Sequence, residues 1–235
     1  MKKAPQLMIL LIVILISSCH KPHINAGKTI TVERQIDTNY SKLSIEGSFD
    51  IHIVNDQDYD IKIISAENML PYIKTSVSNG ELIITEKSNN VYGNYKNEIY
   101  VNKSVLNRLR NDGSSNIEGL LMRLEYLDIE NNGSGNIHLR CDADDHVSID
   151  INGSGNAVVQ GVSEKIFVSI NGSGNIEALS LYTESAYVNI SGSGNVIVNT
   201  SETLNVNISG SGNVLYLGDP SLNVSITGSG EVKPY

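Results

Sequence analysis

Residues 166–178 read IFVSINGSGNIEA: an alternating stretch, a Gly-Ser-Gly-Asn motif and a second alternating stretch. The apolar side chains all fall at even positions, namely Ile166, Val168, Ile170, Ile176 and Ala178. A period of two is typical of a β-strand with one buried face. The segment therefore predicts two short strands that share a buried face across the glycine motif.

The Gly-Ser-Gly-Asn motif recurs along the second half of the chain. Complete copies occupy 133–136, 153–156, 172–175, 192–195 and 210–213, and related copies occupy 47–50, 113–116 and 228–231. The first glycines of the complete copies are Gly133, Gly153, Gly172, Gly192 and Gly210, spaced by 18 to 20 residues. Continuing the alternation places both glycines of each motif on the inner side, where the backbone bends or crowds its neighbours.

One repeat of 18 to 20 residues is too short to enclose a core of its own. The burial that it lacks must come from stacking on its neighbours, which is the principle of a solenoid. Parallel crossover connections are right-handed by default. We therefore predict an all-β chain folded as a right-handed, single-stranded parallel β-helix.

The region before the regular repeats predicts an irregular N-terminal capping region. Asn79-Gly80 between two strand-like runs indicates a hairpin, and residues 66–70 indicate one helical turn before Pro71. We interpret the spacing of 66 positions from Gly47 to Gly113 as wider first coils with a hairpin insertion. Residues 29–235 then form one β-helix domain, with regular coils from about residue 105 to 232.

The other end of the predicted solenoid carries Glu231 in place of the motif asparagine, followed by Lys233 and Pro234. Charged side chains and proline discourage pairing at an exposed strand edge. We expect these residues to protect the last strand.

The N-terminus has the features of an export signal. Lys2 and Lys3 precede an apolar run from Leu7 to Ile16, which is too short to span a bilayer. Small residues then precede Cys19, as in a bacterial lipobox. We predict a lipoprotein signal peptide over 1–18, lipidation of Cys19 and a tether over 19–28. The expected location is the bacterial cell envelope, as an outer-membrane lipoprotein on either membrane face.

Charge and cysteine content restrict the partners. The formal charge is −9, and loss of residues 1–18 removes two lysines and no acidic residue, which gives −11. This balance argues against nucleic acid as a partner, because phosphate recognition needs a basic surface. Once Cys19 is lipidated, Cys141 has no cysteine to pair with, and we expect it to be a buried apolar group.

The combination of motifs resembles a known family. The segments are the repeated Gly-Ser-Gly-Asn after an alternating strand, LSIEGSFDIHI at 43–53 and NGELIIT at 79–85. Over about residues 37–232 they resemble the putative auto-transporter adhesin "head GIN" domain. This resemblance implies an exported bacterial protein, commonly a lipoprotein, with a single-stranded right-handed β-helix. It supplies no catalytic residues to carry over.

The motif asparagines form a row at one position per repeat. They are Asn116, Asn136, Asn156, Asn175, Asn195 and Asn213. Stacked amides can hydrogen-bond along the solenoid as an asparagine ladder, and a repetitive ligand-binding stripe is the alternative. We favour the structural ladder.

Three tyrosines in a polar, glycine-containing stretch are the candidate binding residues. Tyr92, Tyr95 and Tyr100 lie within NNVYGNYKNEIY at 89–100. Tyrosines can anchor a ligand or a partner. Packing against the capping hairpin is the alternative.

Other polar clusters indicate no chemistry of their own. The aspartates at 56, 58 and 60 and at 142, 144 and 145 are expected in solvated turns between strands, where this residue is favoured, and cation binding by these turns is the alternative. His52, His138 and His146 are scattered and match no catalytic or zinc motif. We predict no catalytic residues, no cofactor and no metal.

These observations favour a lipid-anchored, exported β-helical protein with a structural, adhesive or binding role. Its partners would be the membrane, through Cys19, and an unknown protein or glycan. The alternative is a periplasm-facing envelope scaffold that binds a protein. A polysaccharide-active enzyme comes third, because some parallel β-helices host such activities and fold alone does not determine function.

Overall fold

The computed structural model describes residues 24–55, 57–87, 91–92 and 95–235. Strands make up 67% of these described residues, in a parallel β-solenoid of about six turns. The predicted all-β parallel β-helix is therefore confirmed. The strands are β1 (Ile24–Asn25), β2 (Thr29–Arg34), β3 (Lys42–Glu46), β4 (Asp50–Val54), β5 (Ile61–Ala66), β6 (Ile73–Ser78), β7 (Glu81–Glu86), β8 (Val91–Tyr92), β9 (Glu98–Asn102), β10 (Arg108–Asn111), β11 (Asn116–Asn131), β12 (Ile137–Ile151), β13 (Ala157–Val162), β14 (Lys165–Ile170), β15 (Ile176–Gly192), β16 (Val196–Gly210), β17 (Asn213–Leu217), β18 (Ser221–Gly228) and β19 (Glu231–Pro234), with a short 3₁₀ helix at Leu70–Tyr72.

The repeats stack as two parallel sheets that share one core. One sheet runs from β10 through the second halves of β11 and β12 to β14, β15, β16 and β18. The other runs from β4 through the first halves of β11 and β12 to β13, β15, β16, β17 and β19. The register advances by one repeat per coil, so that Ile149 pairs with Val168 and Val168 with Val188.

The alternating apolar residues fill this core as the sequence predicts. Ile166, Val168 and Ile170 of β14 are all buried, as are Ile176 and Ala178 of β15. Nearly all buried apolar side chains belong to one continuous cluster that runs the length of the stack. Each coil therefore gains its burial from the coils on either side of it.

Antiparallel strands form the capping region. β6 and β7 make a hairpin whose turn residues Asn79 and Gly80 have φ angles of 52° and 71°. Positive φ at both turn positions is the conformation that Asn-Gly favours in a two-residue hairpin, so the predicted hairpin is confirmed. β2 pairs antiparallel with β5, and β5 pairs antiparallel with β9.

The order of the first coils differs from the sequence-based interpretation. β3 pairs directly with β10, and β4 pairs directly with β11, so the motifs at Gly47 and Gly113 belong to adjacent coils. The residues between them leave the stack, build the cap and return. β7 and β9 lie beyond β3 and β4 on the cap side. The predicted helical turn at 66–70 is a 3₁₀ helix at Leu70–Tyr72 instead, with Pro71 inside it.

The predicted tether 19–28 is docked on the cap from residue 24 onward. β1 pairs with β8, and Ala26 is buried with Ala66 and Met69. The predicted signal peptide and Cys19 lie outside the described residues. Within the described part of the chain, no helix has the length and apolar character needed to cross a membrane.

Candidate functional site

The glycines of the motif lie where successive coils come closest. A Cβ atom built on Gly153 would lie 2.2 Å from the carbonyl oxygen of Gly133, and one on Gly155 would lie 2.2 Å from that of Gly135. The second glycine of this motif is buried and the first is half-buried. The obstacle is the backbone of the neighbouring coil, which cannot move aside as a flexible side chain could. This turn therefore excludes side chains for steric reasons.

The motif asparagines form a hydrogen-bonded ladder on the outer surface. Each Nδ2 donates to the Oδ1 of the asparagine one coil earlier, over 2.9–3.3 Å, from Asn213 back to Asn116. Backbone N–H groups in the row donate to the same oxygens. Asn116 Nδ2 in turn donates to Asp50 Oδ1 of the degenerate first motif at 3.2 Å. These contacts link neighbouring coils, as a structural ladder requires.

A second pair of stacked amides, which the sequence reasoning missed, lies inside the solenoid. Asn111 and Asn131 are fully buried. Their Nδ2 atoms donate to the carbonyl oxygens of Ser115 and Gly135, at 2.9 and 2.8 Å. Asn111 Nδ2 also lies 3.2 Å from Asn131 Oδ1. The signal was a spacing of 20 residues at a position that carries isoleucine in the later coils.

A concave surface lies where the cap meets the solenoid. Three adjoining cavities of about 450, 390 and 590 Å³ follow the outer face of β9, β4 and β11. We call this surface the junction groove. Its lining includes Asp50, His52, Glu86, Tyr95, Lys96, Tyr100, Asn116, Glu118 and His138.

A row of polar and aromatic side chains crosses the middle of the junction groove. The strand register places Tyr100, His52, Glu118 and His138 on successive strands. The rings of His52 and Tyr100 stack with centroids 4.5 Å apart. His52 Nδ1 lies 2.7 Å from Glu118 Oε1, and Lys62 Nζ lies 4.3 Å from the centre of the Tyr100 ring. The row offers ring surface, a carboxylate and a cation within a few ångströms.

The cap side of the junction groove contains a partly buried acid and phenol. Burial raises the pKa of the Glu86 carboxyl above its ordinary value, although a backbone hydrogen bond from Ser48 opposes this. Burial also raises the pKa of Tyr95, and the nearby charge of Glu86 adds to the effect. Tyr95 therefore stays a neutral hydrogen-bonding phenol at physiological pH.

The structure brings two of the three predicted tyrosines to this groove. Tyr95 lines one cavity and Tyr100 lines the next, and the two cavities share Asp50, Lys96 and Asn116. Tyr95 also packs against the small apolar cluster of the cap, formed by Ala26, Ala66 and Met69. The backbone of Tyr92 pairs with Asn25, and its side chain lies outside the described residues. His52 and His138, interpreted as scattered, belong to the same row as Tyr100.

The acidic clusters are not equivalent. Asp142, Asp144 and Asp145 lie within β12, which corrects the expectation of a turn between strands, because β12 continues through the corner of the coil. Asp145 lies 2.8 Å from His146 and 3.3 Å from Lys165. Asp58 and Asp60 do lie between β4 and β5, and Asp56 is outside the described residues.

The remaining candidate groups are the possible metal ligands and the Cys141 thiol. Across residues 24–55, 57–87, 91–92 and 95–235, no group of three or more His, Cys, Asp or Glu side chains could hold a metal ion. Cys141 is fully buried in β12. Burial, with a smaller effect of Asp142, raises the pKa of its thiol to about 12.

Comparison with known proteins identifies relatives of the same architecture. The model of the family "Putative auto-transporter adhesin, head GIN domain" matches residues 39–220. No curated protein sequence matches the chain significantly.

Several solved structures share the fold over nearly the whole chain. A putative adhesin from Bacteroides fragilis is 23% identical with a TM-score of 0.81, and covers 90% of this chain and 100% of its own. A putative lipid binding protein from Parabacteroides distasonis is 28% identical with a TM-score of 0.71, over 90% of this chain and 99% of its own. A putative adhesin from P. distasonis is 22% identical with a TM-score of 0.66, over 91% and 100%.

Proposed function

Because this chain belongs to the putative auto-transporter adhesin, head GIN domain family, we propose that it is an exported, lipid-anchored envelope protein that binds a glycan in the junction groove. The observation that carries this proposal is the groove itself, in which stacked rings, carboxylates and amides line adjoining cavities. The role is adhesive, and it requires no catalysis.

The chemistry of the junction groove suits a sugar. A pyranose ring has an apolar face that packs on aromatic surface, and hydroxyl groups that need both donors and acceptors. The outward edges of the stacked Tyr100 and His52 rings supply apolar surface, Glu98 and Glu118 supply acceptors, and Asn136 supplies an amide. Such a combination of apolar surface with a few polar groups is typical of small-ligand sites.

The proposed anchor holds the cap close to the membrane. Five peptide units separate Cys19 from Ile24, where the described fold begins. An extended chain of that length reaches at most about 17 Å. The acyl chains on Cys19 would hold the protein on the bilayer. The cap end of the solenoid then lies next to the membrane, with the junction groove on its side, and the repeated coils project away from the bilayer.

The test is a glycan-binding screen with residues 20–235, which contain every residue of the described fold. We expect Tyr100→Ala to reduce binding at least about tenfold, as loss of an aromatic anchor does. Tyr187→Ala is the matched control, because Tyr187 stacks on Phe167 in the other sheet, away from the groove. No glycan binding, or equal losses in both variants, would overturn the proposal.

The alternative is an envelope scaffold that binds a protein partner on the periplasmic face. Protease treatment of intact cells, with a permeabilised control, separates the two. Digestion in intact cells supports the adhesive role. Protection until permeabilisation favours the scaffold, and crosslinking would then identify its partner.

A further inference from the structure

In the last described coil, apolar side chains of the core rows are exposed. Leu222, Val224 and Ile226 of β18 are 48%, 40% and 39% exposed. The register pairs them with Leu204, Val206 and Ile208 of β16, which are 0%, 1% and 3% exposed. The three β18 side chains therefore belong to the core rows and have no coil above them among the described residues.

The strand edges at this end differ in their protection. Within the described residues, β18 pairs only with β16, and β19 pairs only with β17. β19 carries Glu231, Lys233 and Pro234, as expected of a protected edge. β18 extends over eight residues, SLNVSITG, without a charge or a proline. An edge of this kind readily accepts another strand.

We propose that this open end, formed by β18 and β19, binds the same end of a second copy of the chain. A cover for the exposed core rows must match the cross-section of one coil, and a second open end has that shape and the same apolar surface. Although the chain carries a formal charge of −9, β18 and β19 together carry no net side-chain charge, because Glu231 and Lys233 are their charged residues and Lys233 Nζ lies 2.9 Å from Glu231 Oε2. Two copies can therefore approach here without the repulsion that opposes contact elsewhere.

The sequence of the end is self-complementary about a two-fold axis. A two-fold axis across the end makes each strand antiparallel to its own copy. Pairing β18 about Val224 places Leu222 opposite Ile226 of the second copy. Pairing β19 about Val232 places Glu231 opposite Lys233 of the second copy. One axis can cross both strands, since both turn their apolar side chains toward the same core.

The opposite end cannot offer the same contact. The cap covers the core there, and the inward residues of its antiparallel strands, Ile61, Ile63 and Ile73, are buried. Stacking of the open end on the cap of another copy would therefore find no exposed core. The contact closes as a dimer and does not propagate into a filament.

Sedimentation velocity of residues 20–235 over a range of concentrations tests the proposal. We expect a reversible dimer, and Val224→Lys should weaken it at least about thirtyfold, because it places charge in the centre of the contact. Val162→Lys is the matched control, since Val162 is 50% exposed on the side of the solenoid. A monomer at all concentrations, open-ended polymers, or a dimer that Val224→Lys leaves intact would overturn the proposal.

Charge exchange tests the register. Glu231→Lys places lysine opposite lysine across the two-fold axis and should weaken the dimer, and Lys233→Glu should do the same with two acids. The double exchange restores opposite charges and should restore association. Both residues are exposed in the described structure, so folding, checked by circular dichroism, stays intact. Failure of the double exchange to restore the dimer would contradict the antiparallel pairing of β19.

Discussion

The cap and the repeated coils close their cores in different ways. In the cap, the antiparallel strands β2, β5 and β6 fold over the end of the stack and bury its last side chains. In the coils, each layer is covered only by the next layer, so the final layer stays open at β18. Repetition therefore fixes the fold through contacts between coils, whereas the irregular cap supplies both closure and the junction groove.

The largest effect is expected where one coil touches the backbone of another. Gly153→Val would place a side chain 2.2 Å from the Gly133 carbonyl oxygen. We expect a loss above about 4 kcal/mol, seen as failure to fold in circular dichroism and denaturant unfolding. Gly80→Ala is the comparison in the cap. Its Cβ would meet nothing within 4 Å, and its φ of +71° predicts a cost of only about 1 kcal/mol. Similar losses in the two variants would contradict the difference between the regions.

The next effect compares a covered and an uncovered coil. Leu204→Ala removes a fully buried side chain and should lower the free energy of unfolding by about 3 kcal/mol. Leu222→Ala, at the equivalent position of the open coil, should cost about 1 kcal/mol or less in dilute solution. Urea unfolding of both variants measures the difference. Equal costs at low concentration would mean that the last coil is covered in the monomer.

A smaller effect distinguishes the buried pair of stacked amides from the exposed asparagine ladder. Asn131→Ala leaves the Gly135 carbonyl without its buried donor and should cost about 2 kcal/mol. Asn156→Ala breaks an exposed rung, where water can replace the lost partners, and should cost about 0.5 kcal/mol. If Asn156→Ala lowered the free energy of unfolding as much as Asn131→Ala does, water would not be replacing the lost partners of the exposed asparagine. That result would contradict the difference between the two sets of amides.

The smallest effect at neutral pH concerns the Cys141 thiol. Its folded-state pKa of about 12 lies above the ordinary value of 9.0, so folding favours the protonated thiol. The contribution of this thiol to folding stability is fully present below pH 9 and is lost as the pH rises from 9 toward 12. At pH 8, iodoacetamide should modify the unfolded chain and leave the folded protein almost unmodified, as measured by mass spectrometry. Rapid modification of the folded protein would contradict its burial.

The regular coils could be predicted from sequence because their information is local. Alternation around each motif assigns the buried face, and the recurrence of the motif assigns the stacking. The Asn79-Gly80 hairpin was predictable for the same reason, since the turn conformation depends on those two residues.

The cap and the groove depend on pairings that local patterns do not encode. β3 pairs directly with β10, although the whole cap lies between these two strands in the sequence. The order of the coils therefore could not be derived from the spacing between Gly47 and Gly113. Tyr100 was a candidate from its local composition, but His52 and Glu118 become its neighbours only through strand register. Asn111 and Asn131 were missed because asparagine is ordinarily expected at the surface, although their alignment with the isoleucines of later coils marks an inward position.

Hydrogen exchange with mass spectrometry, at low and high protein concentration, tests the contrast between the closed cap and the open coil most directly. At low concentration, amides of β18 and β19 should exchange faster than those of β14 to β16, because one edge of each last strand is unpaired. At high concentration, exchange in β18 and β19 should slow, while exchange in β3, β4 and β9 beside the cap stays unchanged. Protection of β18 equal to that of β16 at every concentration, or slowing at the cap instead, would contradict the structure's division into a closed and an open end.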